Sequence, residues 1–166
     1  MVLSTQAAHA LSAEDYVNRG NSKYRLRDYQ GAIIDYTMVL EIDPQKASAY
    51  YFRGIAKNES GDYEGAIADY NKAIEINPQY ADAYYNRGNA KDDLGDYQGE
   101  IADYSKAIQI DPQDASAYNN RGVTKGIGFN DEKGACSDFK KAASLGYEYR
   151  IKWLKSEDGA WCRNMR

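Results

Sequence analysis

Apolar side chains along this chain recur at three- and four-residue intervals, the period of a helix face rather than of a strand. Tyr16, Gly20 and Tyr24 keep this spacing in one stretch, and Ile33, Tyr36 and Leu40 keep it in the next, with polar residues between. The pattern predicts two amphipathic helices in tandem. Further on, Gly61-Asp62 and Gly95-Asp96 mark the joints: Gly tolerates the left-handed dihedrals that end one helix, and Asp caps the next. Asp43-Pro44, Asn77-Pro78 and Asp111-Pro112 then stop each second helix, because Pro disfavours helical dihedrals at the residue before it.

Pro44, Pro78 and Pro112 are spaced 34 residues apart, and the chain aligns with itself at that period. With Ala13, Ala47, Ala81 and Ala115 as position 1, position 4 reads Tyr16, Tyr50, Tyr84 and Tyr118, and position 8 reads Gly20, Gly54, Gly88 and Gly122. Position 20 reads Ala32, Ala66, Glu100 and Ala135, position 24 Tyr36, Tyr70, Tyr104 and Phe139, and position 27 Val39, Ala73, Ala107 and Ala142. Four units are expected, over 13–46, 47–80, 81–114 and 115–147, the last with one extra residue between Gly126 and Asp131. A segment 1–12 precedes them. In 148–166, Ile151 and Leu154 among Arg150, Lys152 and Lys155 predict an amphipathic helix with a polar back, closing the array.

A 34-residue period with an aromatic residue at position 4, Gly at 8, Ala at 20, an aromatic at 24, Ala at 27 and Pro at 32 resembles the tetratricopeptide repeat family, from residue 13 to about 147. The resemblance implies an all-α, right-handed α-solenoid of four helix-turn-helix units plus a C-terminal capping helix. Physical reasoning points the same way, since one hairpin cannot bury both of its apolar faces and stacked hairpins share a continuous core. Three departures stand out: Arg for Leu at position 7, Lys for Tyr at position 11, and Glu100 for a small residue.

Those departures recur as a charged trio. Arg19, Arg53, Arg87 and Arg121 take position 7, Lys23, Lys57, Lys91 and Lys125 position 11, and Asp35, Asp69, Asp103 and Asp138 position 23. Arg and Asp can pair across each hairpin as a structural device, or the series can form a charged stripe for a ligand. Gly31, Gly65, Gly99 and Gly134 recur at position 19, early in the second helix, where Gly costs roughly 0.5 to 1 kcal/mol relative to Ala. The sequence supplies no reason for them.

Composition narrows the function. A net charge of −4 gives no general attraction to nucleic acid, although residues 140 to 166 hold seven cations against three anions. Apolar runs of a few residues fall far short of the roughly 18 that span a bilayer, so no membrane insertion is expected. The single His9 has no partner nucleophile in the pattern, and no phosphate loop, zinc spacing or calcium loop occurs. Neither enzyme activity nor a cofactor or metal is expected; a redox role for the tail cysteines would need an exposed, electropositive thiolate.

The resemblance places a binding surface on the concave face, at first-helix positions 2, 5, 6, 9, 12 and 13. These read Val17, Asn18, Asn21 and Tyr24, then Tyr51, Phe52, Ile55 and Asn58, then Asp82, Tyr85, Asn86, Asn89, Asp92 and Asp93, and finally Asn119, Asn120 and Val123. Asn18, Asn86 and Asn120 share position 6, where amides suit the alternating donors and acceptors of an extended peptide, similar to the asparagine ladders of some repeat relatives. Phe52 interrupts the ladder and, with Tyr51 and Tyr85, offers an aromatic anchor. The other reading is that Tyr51 and Phe52 pack between units and the rest is a solvated face. Asp82, Asp92, Asp93, Glu14 and Glu59 favour a neutral to basic segment. The family's clamp for acidic C-terminal peptides is missing, because Val17, Asp82 and Asn86 hold key positions.

Cys136 occupies a position filled by Ile in the other units and reads as a small core residue, or as one half of a disulfide with Cys162 if the compartment is oxidising. In the second case Trp153 and Trp161 would pack over the closure. Ala8-His9-Ala10 resembles the end of an export signal but lacks an apolar run before it, so a cytoplasmic address is expected, with export through a preceding segment as the alternative. Together these features predict a non-enzymatic interaction scaffold that holds an extended segment of a partner protein in its groove, as an assembly or targeting factor. The alternative is a self-associating module that forms homo-oligomers by stacking through its terminal units.

Overall fold

A computed structural model describes residues 11–165. His9 and Ala8-His9-Ala10 lie outside the described residues. Within them run α1 (Ala13–Arg25), α2 (Tyr29–Ile42), α3 (Ala47–Glu59), α4 (Tyr63–Ile76), α5 (Ala81–Asp93), α6 (Tyr97–Ile110), α7 (Ala115–Phe129), α8 (Glu132–Ser144), α9 (Glu148–Lys155) and α10 (Ala160–Asn164), with no strand among the described residues. The first eight helices form four hairpins that stack in sequence, α2 on α3, α4 on α5 and α6 on α7, as a right-handed α-solenoid.

The hairpin joints follow from local chemistry. Arg27, Gly61, Gly95 and Asn130 adopt left-handed dihedrals, and Asp28, Asp62, Asp96 and Asp131 then cap α2, α4, α6 and α8. Each Asp carboxylate accepts the backbone N–H of the Gly three residues on, as Asp62 does from Gly65 at 3.0 Å. This geometry accounts for the Gly at position 19. A Cβ on Gly65 would sit 2.1 Å from the Asp62 carboxylate, so the propensity lost is offset by a cap worth about 1 kcal/mol. In the fourth unit the helix absorbs the extra length: α7 has 15 residues where α5 has 13.

Inside each hairpin a buried ring at position 24 lies against the Gly at position 8. A Cβ on Gly54 would fall 2.7 Å from the Tyr70 ring, which shows how closely the helices approach. Between hairpins, Ala32 meets Ala56 beneath Tyr36, and Ala66 meets Ala90 beneath Tyr70. At the third junction the corresponding residues are Glu100 and Thr124, whose hydroxyl donates to Glu100 Oε1 at 2.6 Å.

Each buried Asp at position 23 holds both cations of its unit. Asp69 receives Arg53 Nη2 at 2.7 Å and Lys57 Nζ at 2.8 Å, and Asp35, Asp103 and Asp138 are served alike. Each guanidinium also lies 5.0 to 5.6 Å from the centroid of the Tyr at position 4. From the second unit on, Arg reaches back to the preceding hairpin: Arg53 to Thr37, Arg87 to Asn71 and Arg121 to Ser105. Arg therefore ties helix to helix and hairpin to hairpin, which Leu at that place cannot do. Arg19 has no hairpin before it, and its side chain is 46% exposed where that of Arg87 is 17%.

The C-terminal end closes over the last hairpin through α9 and a second short helix, α10. Cys136 on α8 is bonded to Cys162 on α10, and Trp153 packs edge-on against both Phe139 and Trp161. One expectation is corrected here. Arg150, placed on the polar back of this helix, is its buried residue: its guanidinium lies 3.6 Å from the centroid of the Phe139 ring, and Nε donates to Asn119 at 2.7 Å.

Candidate functional site

The inner wall is formed by α1, α3, α5 and α7, and hydrogen bonds between neighbouring units set its register. Asn86 Nδ2 donates to the Tyr51 hydroxyl at 3.0 Å, and one repeat later Asn120 Nδ2 donates to the Tyr85 hydroxyl at 3.0 Å. The donor side of Asn86 and Asn120 is thus turned toward the wall itself. Asn86 Oδ1 and the whole amide of Asn18 form no hydrogen bond within the described residues, and Asn18 is exposed. Asn21 and Asn89 accept the hydroxyls of Tyr36 and Tyr104 at 2.7 Å each, which fixes those rings from the groove side.

Tyr51 and Phe52 are half-buried. Tyr51 packs with Ala90 and takes a hydrogen bond from Asn86 of the next unit, and Phe52 stacks on Tyr36 of the preceding one at 5.9 Å, so both aromatic side chains bridge units and still border the groove. Burial pushes the Tyr36 hydroxyl up to about 12 and those of Tyr51 and Tyr104 higher, so all three keep their protons at neutral pH. Asp82, Asp92 and Asp93 are exposed on the same wall. Asn119 is the exception among the groove residues expected from position: only 8% exposed, it is covered by Arg150 of the closing helix and is withdrawn from the groove.

Two cavities open where the wall crosses from one hairpin to the next. One, of about 310 Å³, is lined by Asn21, Tyr24, Arg25, Tyr36, Phe52 and Ile55. The other, of about 420 Å³, lies two units on at the corresponding positions, with Asn89, Asp92, Asp93, Tyr104, Asn120 and Val123, and extends to Tyr97, Glu100, Thr124 and Ile127. In the sequence Glu100 stands out only as a break in the small-residue position. Thr124 ten places into the next unit is the signal that this junction differs, since the other two carry Ala at both places. Among the described residues no three His, Cys, Asp or Glu side chains are grouped to hold a metal ion.

Stacked helical hairpins with a continuous polar and aromatic inner wall define a repeat solenoid, a class built to present an extended surface. Within it the chain belongs to the tetratricopeptide repeat family. The family model described as TPR repeat matches residues 54–95 and 92–126. A crystal structure of MamA is 30% identical over 85% of this chain and 81% of that one, with a TM-score of 0.78. MamA 41-end from Desulfovibrio magneticus RS-1 is 26% identical over 82% and 76%, with a TM-score of 0.75. The second TPR domain of human RPAP3, in complex with the HSP70 peptide SGPTIEEVD, is 26% identical over 68% and 94%, with a TM-score of 0.66. No curated protein sequence matches the chain.

Proposed function

We propose that the chain is a non-enzymatic protein-interaction scaffold whose inner wall holds an extended segment of a partner protein, in the service of assembly or targeting. The observation that carries this reading is the wall itself, in which two cavities recur at the same repeat positions along one face. The human RPAP3 relative supports it, because that domain was solved with a peptide bound. Asn18 and Asn86 Oδ1 supply unspent amide groups for a peptide backbone, and the cavities receive its side chains. The Arg–Asp pairs serve architecture rather than ligand, since each Asp is already held by two cations of its own unit.

The charge of the wall selects the segment. The RPAP3 ligand ends in Glu-Glu-Val-Asp, whereas here Asp82, Asp92 and Asp93 line the surface and would repel such a tail. A neutral to basic segment is favoured. An array of extended decapeptides graded in net charge tests this: the account expects capture of neutral and basic members, weakened by at least threefold in Asp82→Lys/Asp93→Lys. Capture of acidic members alone, or of none, overturns it.

A further inference from the structure

We propose that the cavity between the third and fourth hairpins is a cation subsite that takes a Lys or Arg side chain of the bound segment, with Glu100 as the group that reads it. The proposal rests on the groove reading and deepens it.

Glu100 is 3% exposed, and it is the odd member of an otherwise alanine position. Its Oε1 accepts from Thr124, while Oε2 is buried with no hydrogen-bond partner. Burying a carboxylate oxygen without a partner is costly, and the architecture does not need it, since the two earlier junctions close with Ala against Ala. The side chain lines the cavity, whose other walls contribute no cation to neutralise it. A cation entering the cavity from outside the chain would offset that cost.

The remaining walls say what kind of cation fits. Too few acidic or His side chains converge for a metal ion, and hard divalent cations demand six or more oxygen ligands. Val123 and the exposed Ile127 offer an aliphatic track for a methylene stem, and Tyr97, itself exposed, brings an aromatic ring to the same cavity for a charged head. Asp92 and Asp93 at the mouth draw cations in. An aliphatic stem ending in an ammonium or guanidinium matches all three features.

The test uses the full chain and small probes, so that it does not depend on any peptide. n-Butylammonium is titrated against 15N-labelled protein, with n-butanol as the neutral isostere and n-propylguanidinium as the second cation. Saturable shifts at Glu100, Val123, Thr124 and Ile127 with either cation, absent with n-butanol and weakened at least tenfold in Glu100→Gln, support the subsite; the better cation tells Lys from Arg. Equal shifts with n-butanol, or unchanged affinity in a folded Glu100→Gln protein, overturn it. A negative result here with peptide capture intact removes the subsite and leaves the groove standing, whereas loss of peptide capture on the array removes the groove reading itself.

Discussion

Two cavities occupy the same place in the repeat, two units apart, and their linings differ at a few residues. At the one between the first and second hairpins the junction is closed by Ala32 against Ala56, out of reach of the cavity, and Arg25 is part of the lining. The one between the third and fourth has Glu100 at its back, Thr124 opposite and Asp93 in the place of Arg25. The frame around both is the same: a buried ring on a Gly, a capped second helix and an Asp held by two cations. Such a repeat separates two tasks by position. Residues that close each hairpin stay constant, while the junction between hairpins and the groove beside it are free to differ, as Glu100 and Thr124 do.

The comparison breaks most sharply by transplanting the difference. Ala32→Glu buries a carboxylate where Ala56 offers no hydroxyl, and is expected to cost about 4 kcal/mol in urea unfolding. Adding Ala56→Thr should return about 1 kcal/mol of that loss. A neutral Ala32→Glu would show that the junction accepts charge anywhere, and that Glu100 is unremarkable. Removing a part common to both regions comes next: Arg87→Leu leaves Asp103 with Lys91 alone and severs the link to Asn71, an expected loss of about 3 kcal/mol. Arg19→Leu, at the exposed end, should cost visibly less; equal losses would contradict the bridging role assigned to the inner arginines.

The smallest effect has the opposite sign. Glu100→Ala removes the buried carboxylate, and Thr124 is left free to give its one hydroxyl proton to the Asn120 carbonyl, 3.0 Å away, so a gain of about 1 kcal/mol at pH 7 is expected. Burial, with Asp92 and Asp96 nearby, raises the Glu100 carboxyl above its usual 4.5, against the smaller opposing effects of Thr124 and Tyr104. The folded state therefore holds that proton longer than the unfolded chain does, and the wild type loses stability as pH rises from 4.5 through the raised value. The gain from Glu100→Ala should shrink toward zero near pH 4 in paired thermal melts. A pH-independent gain would point to packing rather than charge. Asp35 runs the other way: Arg19 holds its carboxyl below the usual 3.8, so its contribution is present above that value and lost in stronger acid.

Much of the frame was legible in the chain because it is periodic. Pro44, Pro78 and Pro112 set the unit, and Gly61-Asp62 and Gly95-Asp96 marked joints whose dihedrals and caps follow from residue type. The Gly at position 19 resisted explanation because its reason is three-dimensional: the capping carboxylate folds over the Cα of the residue that donates to it. The ends were less legible than the middle. Asn119 occupies a groove position by count, but the closing helix covers it, and Arg150 looks solvent-facing until Phe139 supplies a ring beneath it. Cys136 allowed a core residue or a bridge, and only the path of α10 brings Cys162 to it. Glu100 could be seen as an irregularity, yet its meaning lay in a partner 24 residues away.

The central claim is that the partner lies along the inner wall of the solenoid. It is tested most directly by mapping the backbone amide shifts of the 15N-labelled chain as an array-selected peptide is added. The account predicts a footprint running over Asn18, Phe52, Asn86, Asn120 and Thr124, on the first helices of successive hairpins. A footprint on the outer faces of α2, α4 and α6, with those residues unmoved, would contradict it.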